Sequence, residues 1–164
     1  MTGPSDTLEP FRTAHARELA GWAATAAEAR RWGGQDVVWP VAASVVSAWH
    51  ADPGVRPFVL VRSGMLLGYG EVWIDEEERE VELARIIVRP ERRGRGLGRL
   101  LVRLLLEQAA QTGHQTAFVR VAPGNAAALA CYRNAGLAPV SEEERQAFNE
   151  GQPLEYVWLR RELR

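Results

Sequence analysis

The segment that follows the apolar run at residues 86–88 has the spacing most typical of a ligand-binding loop. It reads Arg93-Gly94-Arg95-Gly96-Leu97-Gly98-Arg99 and leads into a leucine-rich stretch with helical periodicity. Glycines let a backbone turn sharply and approach a ligand closely, and the first turn of a helix has unpaired N–H groups. Arginines beside such groups favour an anion, so the segment predicts a phosphate-binding loop.

Two common phosphate-binding motifs fail on spacing. A P-loop ends in Gly-Lys-Ser/Thr, whereas Gly98 is followed by arginine and leucine. A dinucleotide fingerprint, G-x-G-x-x-G, would put its third glycine at Arg99 when counted from Gly94, or at Leu101 when counted from Gly96. The phosphate compound must therefore be held by another kind of loop.

Residues 93–98 resemble the R-x-x-G-x-G/A signature of the GNAT N-acetyltransferases, in which this loop holds the pyrophosphate of acetyl-CoA. Residues 82–90 look like the fourth strand of that family. Residues 125–137 resemble its N-x-x-A-x-x-x-Y-x-x-x-G-F segment, with Leu137 in place of phenylalanine. The resemblance runs from about Phe58 to the C-terminus. It implies a GNAT-type fold, a mixed α/β sheet flanked by helices, and an N-acetyltransferase that uses acetyl-CoA as cosubstrate.

The resemblance also assigns roles to individual residues. In the family, Tyr132 would protonate the departing thiolate, and Asn125 would contact the cofactor arm, although Asn125 also suits a helix N-cap. The strand backbone would pair with the pantetheine arm, and one of its N–H groups would polarise the thioester carbonyl. The residues predicted to bind the cofactor are Ile86, Ile87, Val88, Arg93, Gly94, Arg95, Gly96, Leu97, Gly98, Arg99 and Asn125.

The general base is less well defined by the sequence. A carboxylate, acting directly or through water, is the usual group that deprotonates an attacking amine. Glu82 lies where many GNAT enzymes carry a glutamate, Glu71 is the runner-up and Glu80 is a further candidate. In acetyltransferases of ribosomal-protein N-termini a catalytic glutamate lies five residues before the asparagine, and here that position is Arg120. A substrate of that subgroup is therefore not expected.

Composition narrows the class of protein. A chain of 164 residues suits one domain, 1–164, and its formal net charge of −1 gives no reason to expect nucleic acid. The sequence has no apolar run of membrane-spanning length and no signal-peptide pattern, so we expect no membrane partner and a cytoplasmic location. Cys131 is the only cysteine and reads as a packing residue rather than a nucleophile.

No metal site is expected, because His15, His50 and His114 are scattered along the chain. Two acidic segments, 75–80 and 142–144, read as solvated loops. Their functional alternative is a rim that attracts a cationic amine. The acceptor is not defined by the sequence and could be a small-molecule or peptide amine. A homodimer is possible. A CoA-binding sensor without turnover and a nucleotide-binding regulatory domain are the alternative functions.

Periodicity and turn residues predict the order of elements, a helical N-terminus followed by β-β-β-α-β-α-β-β. A short strand is predicted ahead of the first helix. Helices are predicted over 15–32, 41–50, 97–111 and 126–134. Strands are predicted over 8–13, 58–62, 66–74, 81–88, 115–121, 137–140 and 154–160.

Overall fold

A seven-stranded sheet with helices on both faces forms the protein in its computed structural model, which describes residues 5–163. The strands are β1 (Thr7–Pro10), β2 (Val55–Arg62), β3 (Met65–Asp75), β4 (Glu80–Val88), β5 (Thr116–Val121), β6 (Ala138–Pro139) and β7 (Val157–Glu162). The helices are α1 (Ala16–Ala20), α2 (Ala26–Gly33), α3 (Ala43–Ala48), α4 (Leu97–Ala110), α5 (Ala126–Asn134) and α6 (Glu142–Asn149). The predicted fold class, a mixed α/β sheet flanked by helices, is confirmed.

The strand order across the sheet is β1-β2-β3-β4-β5-β7-β6. Neighbouring strands are antiparallel except β4 and β5, which are parallel because the chain returns through α4. This parallel pair is short, since only Val81 and Glu82 pair with Ala117 and Phe118. Beyond these residues β4 and β5 run on without pairing.

Helix α4 packs on one face of the sheet. Its residues Leu101 and Leu105 are fully buried, and each such side chain contributes about 1.5–3 kcal/mol when it leaves water. The helix comes close to β3 because Gly68 and Gly70 lie beneath it. A Cβ added at Gly70 would lie 2.5 Å from Leu105 Cδ1. Helix α5 packs beside α4 on the same hydrophobic cluster.

The N-terminal helices cover the other face of the sheet. Alternate residues of a strand point to opposite faces, so Leu60 packs with the α4 cluster while Val59 packs with the N-terminal cluster. The N-terminal cluster is centred on Leu19, Trp32 and Val46. At the far end of the sheet, Phe148 of α6 packs edge-on against the rings of Phe118 and Trp158.

The single helix predicted over residues 15–32 is wrong, because the structure has two helices there, separated by residues 21–25. Thr25 starts the second one: the Glu28 N–H donates to Thr25 Oγ1 at 3.1 Å, and the Ala24 N–H donates to Glu28 Oε2 at 2.8 Å. The spacing Thr-x-x-Glu is a known helix-start signal. The predicted first strand also ends earlier, at Pro10.

Residues 142–144 were predicted to lie in a loop, and they are instead the first turn of α6. Ser141 caps this helix. Its hydroxyl accepts from the Glu144 N–H at 3.1 Å, and the Glu144 carboxylate accepts from the Ser141 N–H at 3.4 Å. The same Ser-x-x-Glu signal was present in the sequence, and three acidic residues in a first turn also suit the helix dipole. Within residues 5–163, no helix is both long enough and apolar enough to span a membrane.

Candidate active site

The gap between β4 and β5 contains a cavity of about 190 Å³, referred to below as the slot. It exists because the parallel pairing stops at Glu82 while β4 continues to Val88. Of the predicted strand residues, Ile86 lines the slot, Ile87 is buried against the N-terminal helices and Val88 packs toward α4. The slot is also lined by Arg85, Arg120, Asn125, Tyr132 and Tyr156.

The predicted phosphate-binding loop, residues 93–99, leads from β4 into α4 and is referred to below as the glycine loop. Gly94 and Gly96 have φ angles of +77° and +80°, a left-handed conformation that favours glycine, and a Cβ at either position would meet nothing within 4 Å. The first α4 hydrogen bond runs from the Leu100 N–H to the Gly96 carbonyl, at 3.2 Å. The N–H groups of Leu97, Gly98 and Arg99 precede it and have no partner within the helix. The loop therefore presents backbone donors at the positive end of α4.

The arginines of the loop differ in whether they already form hydrogen bonds and ion pairs. Arg93 Nη1 lies 2.8 Å from Glu28 Oε1, and Arg93 Nε donates to the Val88 carbonyl at 3.1 Å. The hydrogen bond from Arg93 lowers the pKa of Glu28. Arg95 and Arg99 are exposed, and among residues 5–163 no ion pair involves either of them. These two side chains are thus available to an anion.

Asn125 and Tyr132 lie on one face of α5, toward the slot. Asn125 caps the helix, since its Oδ1 accepts from the Ala128 N–H at 3.3 Å, and this leaves its side-chain amide as a donor. The Tyr132 hydroxyl makes no side-chain hydrogen bond with any of the described residues. Burial, and then the proximity of Cys131 and Glu82, raise the pKa of Tyr132, so its hydroxyl keeps its proton at neutral pH. Burial also raises the pKa of Cys131.

Glu82 carries a partner that the sequence did not suggest. Both of its carboxylate oxygens accept from Arg120, from Nε at 2.7 Å and from Nη2 at 2.7 Å. Arg120 Nη1 donates to Gln152 Oε1 at 3.0 Å, and the guanidinium lies 4.6 Å from the ring of Trp158. Such a bidentate pair is among the stronger and more directional interactions of a protein. The residue whose presence argued against one GNAT subgroup is therefore the partner of the predicted base.

Glu71, the alternative base, is fully buried in a hydrogen-bonded cluster. Arg85 Nη1 donates to its Oε1 at 2.9 Å, and Trp73 Nε1 donates to the same oxygen at 2.7 Å. Its other oxygen accepts from the Tyr69 hydroxyl, and Tyr69 in turn meets His50 Nε2 at 2.8 Å. This carboxylate is enclosed by its donors.

A second cavity, of about 740 Å³, lies where the ends of β3 and β4 meet β5, α6 and β7; we call it the acidic cavity. It is on the sheet face opposite α4, because the neighbours of its lining residues on β4 and β5 pack with α4. Its aromatic lining is Trp73, Phe118, Phe148 and Trp158. Its carboxylates are Asp52, Asp75, Glu76, Glu80 and Glu82.

The acidic cavity and the slot share Trp73, Glu82 and Arg120, so the two spaces meet at this group. At the other end of the cavity, burial and the nearby carboxylates of Glu78 and Asp75 raise the pKa of Glu80. Like charges raise a carboxyl pKa when no cation is near enough to offset them. Two arginines, Arg56 and Arg120, also line the cavity, so its five carboxylates outnumber its cations by three. The cavity thus combines aromatic walls with an excess of negative charge.

The sequence could not indicate several of these residues. Trp32, Arg85 and Arg120 come from separate elements and meet only in the fold. Arg120 did stand out, but only as a departure from one subgroup. Among the described residues, no three His, Cys, Asp or Glu side chains form a group that could hold a metal ion.

Comparison with known proteins identifies the family. A model described as "Acetyltransferase (GNAT) family" matches residues 16–137. An IAA acetyltransferase of Azospirillum brasilense is 33% identical over 88 residues, which are 54% of this chain. The match covers 58% of that relative, so the chain spans little more than half of its length.

Two solved structures have the same fold. The spermidine N-acetyltransferase from Vibrio cholerae in complex with CoA and spermine has a TM-score of 0.74 at 19% identity, covering 96% of this chain and 95% of that one. The aminoglycoside acetyltransferase AAC(6')-Ib in complex with ribostamycin and coenzyme A has a TM-score of 0.75 at 19% identity, covering 96% and 93%. Since the family model covers most of the sequence and the fold agrees, the chain belongs to the GNAT family of acetyltransferases.

Proposed function

We propose that this chain transfers the acetyl group of acetyl-CoA to a small cationic amine by direct attack in a ternary complex. The observation that carries the proposal is the meeting of two spaces at Glu82. The slot reaches this residue from the gap between β4 and β5, and the acidic cavity reaches it from the sheet face opposite α4. A donor and an acceptor could therefore enter separately and meet.

The donor would be bound mainly by backbone groups. The N–H groups of Leu97, Gly98 and Arg99 would bind the pyrophosphate, with Arg95 and Arg99 adding charge. Residues 86–88 of β4 do not pair with β5, and this free side of the strand would pair with the pantetheine arm. The Asn125 amide would support the arm from α5. A backbone N–H of this strand would polarise the thioester carbonyl, an interaction worth about 3 kcal/mol in comparable sites.

The chemistry follows from these positions. The substrate ammonium loses a proton, its nitrogen attacks the thioester carbonyl carbon, and the carbon–sulfur bond breaks. The CoA sulfur leaves with the electron pair of that bond and takes a proton from the Tyr132 hydroxyl, which suits this role because its raised pKa keeps it protonated. The nitrogen loses its second proton as the amide forms, and that proton restores the Tyr132 hydroxyl, directly or through water. The net reaction converts an ammonium and a thioester into an amide, a thiol and one proton released to water.

We assign the base role to Glu82, acting directly or through water, because it lies in both spaces. Glu71 is a weaker candidate, since it is fully buried and its oxygens already accept from Arg85, Trp73 and Tyr69. Cys131 takes no part: burial raises its pKa, and a neutral thiol is a poor nucleophile.

The acidic cavity supports a small cationic acceptor. Its volume of about 740 Å³ is in the usual range for small-molecule sites. Its carboxylates would attract positive charge, and faces such as those of Trp73 and Trp158 favour cations or apolar carbon chains. The two structures with the same fold are complexes with spermine and with ribostamycin, which are both amines.

A CoA-binding sensor without turnover is the second candidate. The Glu82–Arg120 ion pair favours it, because a carboxylate held by a guanidinium at 2.7 Å on both oxygens is engaged before any amine arrives. A sensor would need the glycine loop but neither Tyr132 nor a base.

The two candidates differ in turnover. We would measure CoA release with acetyl-CoA and a panel of mono-, di- and polyamines, amine-bearing peptides and uncharged controls, for wild type and Tyr132→Phe. Transfer to cationic small molecules that falls in Tyr132→Phe supports the proposal. Equal, negligible rates in both proteins together with tight CoA binding would instead establish the sensor.

A further inference from the structure

Strand β4 carries one extra residue at the slot. Tyr69 pairs with Ile87 and Glu71 pairs with Ala84, so two residues of β4, Arg85 and Ile86, stand opposite one residue of β3. This is a β-bulge, and Arg85 has a φ of +49°, a conformation that non-glycine residues adopt rarely. The bulge consists of Arg85 and the first residue of the main-chain segment 86–88.

Two independent contacts hold Arg85 in this conformation. Trp32 Nε1, from α2, donates to the Arg85 carbonyl at 2.9 Å. The guanidinium donates to the buried Glu71 at 2.9 Å and lies between the rings of Trp49 and Trp73, 4.4 Å and 5.0 Å from their centroids. The main chain and the side chain of one bulge residue are therefore both fixed.

Strained residues persist only where surrounding contacts enforce them, and such sites are commonly functional. Burying Arg85 also costs free energy, since its Nε is buried without a hydrogen-bond partner among the described residues. A strand needed only for packing could pair regularly without a bulge, or could have glycine at this position. The clamp by Trp32, Glu71 and two indoles instead sets the direction in which β4 leaves the bulge.

We propose that Arg85 and Trp32 are positioning residues that aim the backbone N–H groups of residues 86–88 at the thioester carbonyl. The inference rests on the proposed function, because it presumes that acetyl-CoA lies in the slot. Neither side chain needs to touch the reacting atoms. A donor misplaced by about 1 Å loses on the order of a hundredfold in rate, so modest loosening of the bulge would be measurable.

The test needs a readout that a purely structural contact would not move. The stretching frequency of the thioester carbonyl falls when an N–H group hydrogen-bonds to its oxygen. We would record infrared difference spectra of bound acetyl-CoA, isotope-labelled at the carbonyl, for wild type, Trp32→Phe and Arg85→Lys. Trp32→Phe removes the indole N–H together with part of the ring that packs against Trp49 and Tyr69. Arg85→Lys keeps the charge beside Glu71 while losing the planar group.

Trp39→Phe is a matched control. Trp39 Nε1 donates to the Ala23 carbonyl at 2.9 Å, the same kind of bond at the same length, and Trp39 lines neither the slot nor the acidic cavity. Because Trp39 is 44% exposed and Trp32 only 5%, Trp39→Phe should lower thermal stability less than Trp32→Phe does, and it should leave the bound carbonyl unaffected.

We expect the carbonyl of acetyl-CoA to shift downward on binding wild type and Trp39→Phe alike. The shift should shrink by about half or more in Trp32→Phe and Arg85→Lys, with CoA affinity within about threefold of wild type. A full wild-type shift in both variants would overturn the positioning role alone. A wild-type protein that binds acetyl-CoA without a shift, or does not bind it, would overturn the proposed donor site and this inference with it.

Discussion

The glycine loop and the acidic cavity are built in opposite ways. The loop is made of main-chain N–H groups at the start of α4, and the three glycines keep side chains away from them. The acidic cavity is made of side chains that come from β3, β4, β5, α6 and β7. The first surface is local in sequence, and the second exists only when distant elements are folded together.

The difference separates the two substrates in the proposed reaction. A donor shared by a whole family suits a site made of backbone, which side-chain changes leave intact. An acceptor that differs among relatives suits a site whose side chains can change one at a time. We therefore expect substitutions in the loop to change acetyl-CoA binding alone, and substitutions in the cavity to change amine binding alone.

Tyr132→Phe should have the largest effect, because it removes the proposed acid from the slot. We expect kcat to fall by about a hundredfold to a thousandfold, with the KM values of both substrates nearly unchanged. The phenyl ring keeps the packing of α5, so CoA affinity measured by calorimetry serves as the control. A normal kcat would show that another group protonates the thiolate.

The two glutamates provide the second contrast. Glu82→Gln should lower kcat by about a hundredfold. Its loss in the free energy of unfolding should be smaller than that of Glu71→Gln, because the Glu82 and Arg120 side chains are 15% and 28% exposed whereas Glu71 is fully buried. Glu71→Gln leaves the Arg85 charge buried without its partner, so we expect a loss of about 3 kcal/mol in the free energy of unfolding.

Urea denaturation and steady-state kinetics on both variants distinguish these roles. If Glu71→Gln folds stably and loses activity while Glu82→Gln keeps it, the base has been assigned to the wrong residue.

Arg95→Ala tests the loop side. Arg95 is exposed and forms no ion pair with the described residues, so its removal should not disturb the fold. Losing one charge-assisted contact to pyrophosphate should weaken acetyl-CoA binding by about tenfold, and less at high salt. Arg103→Ala, an exposed arginine two turns further along α4, is the control that should bind normally. A rise in the amine KM would show that the acetyl-CoA and amine sites are not separate.

Glu80→Gln tests the cavity side and should have the smallest effect. The pKa of Glu80 is raised by burial and neighbouring carboxylates, so its ionisation costs more in the folded chain than in the unfolded one. Removing the charge should raise Tm by about 1–3 °C at neutral pH. The gain should shrink as the pH falls through the raised folded pKa and then the unfolded pKa, and it should vanish below about pH 3.5, where Glu80 is protonated in both states.

The same variant should weaken binding of a cationic amine about threefold, since it removes one attractive charge at a partly exposed site. Stability and substrate affinity would thus change in opposite directions. Thermal scans at the two pH values and the amine KM check both parts, and unchanged amine binding would separate Glu80 from the acceptor site.

The elements proposed to bind acetyl-CoA could largely be predicted from the sequence, because their signals lie within short segments. The glycine spacing, the leucine periodicity of α4 and the Asn125 cap each follow from a short segment, and the structure has α4 at Leu97–Ala110 and α5 at Ala126–Asn134. The roles assigned to these residues remain predictions. Two cap signals, Thr25-x-x-Glu28 and Ser141-x-x-Glu144, are equally local. They mark the starts of α2 and α6, and neither start is among the predicted elements.

The residues around the proposed amine site could not be predicted to lie together, because the register between distant strands determines which of them meet. Glu82 and Arg120 are 38 residues apart in sequence. They meet because β4 and β5 pair in parallel at residues 81–82 and 117–118. The bulge at Arg85 depends on how β3 and β4 align, and no spacing within β4 alone reveals it. The fourth strand was recognised by its apolar pattern, which is insensitive to such a shift.

Steady-state kinetics with acetyl-CoA and an amine acceptor both varied, in wild type, Arg95→Ala and Glu80→Gln, test the central claim most directly. Two sites that meet at Glu82 predict intersecting initial-velocity lines for wild type. Arg95→Ala should raise only the KM for acetyl-CoA, and Glu80→Gln only that for the amine. Parallel lines, or a variant that changes both constants equally, would contradict a ternary complex assembled from two separate sites.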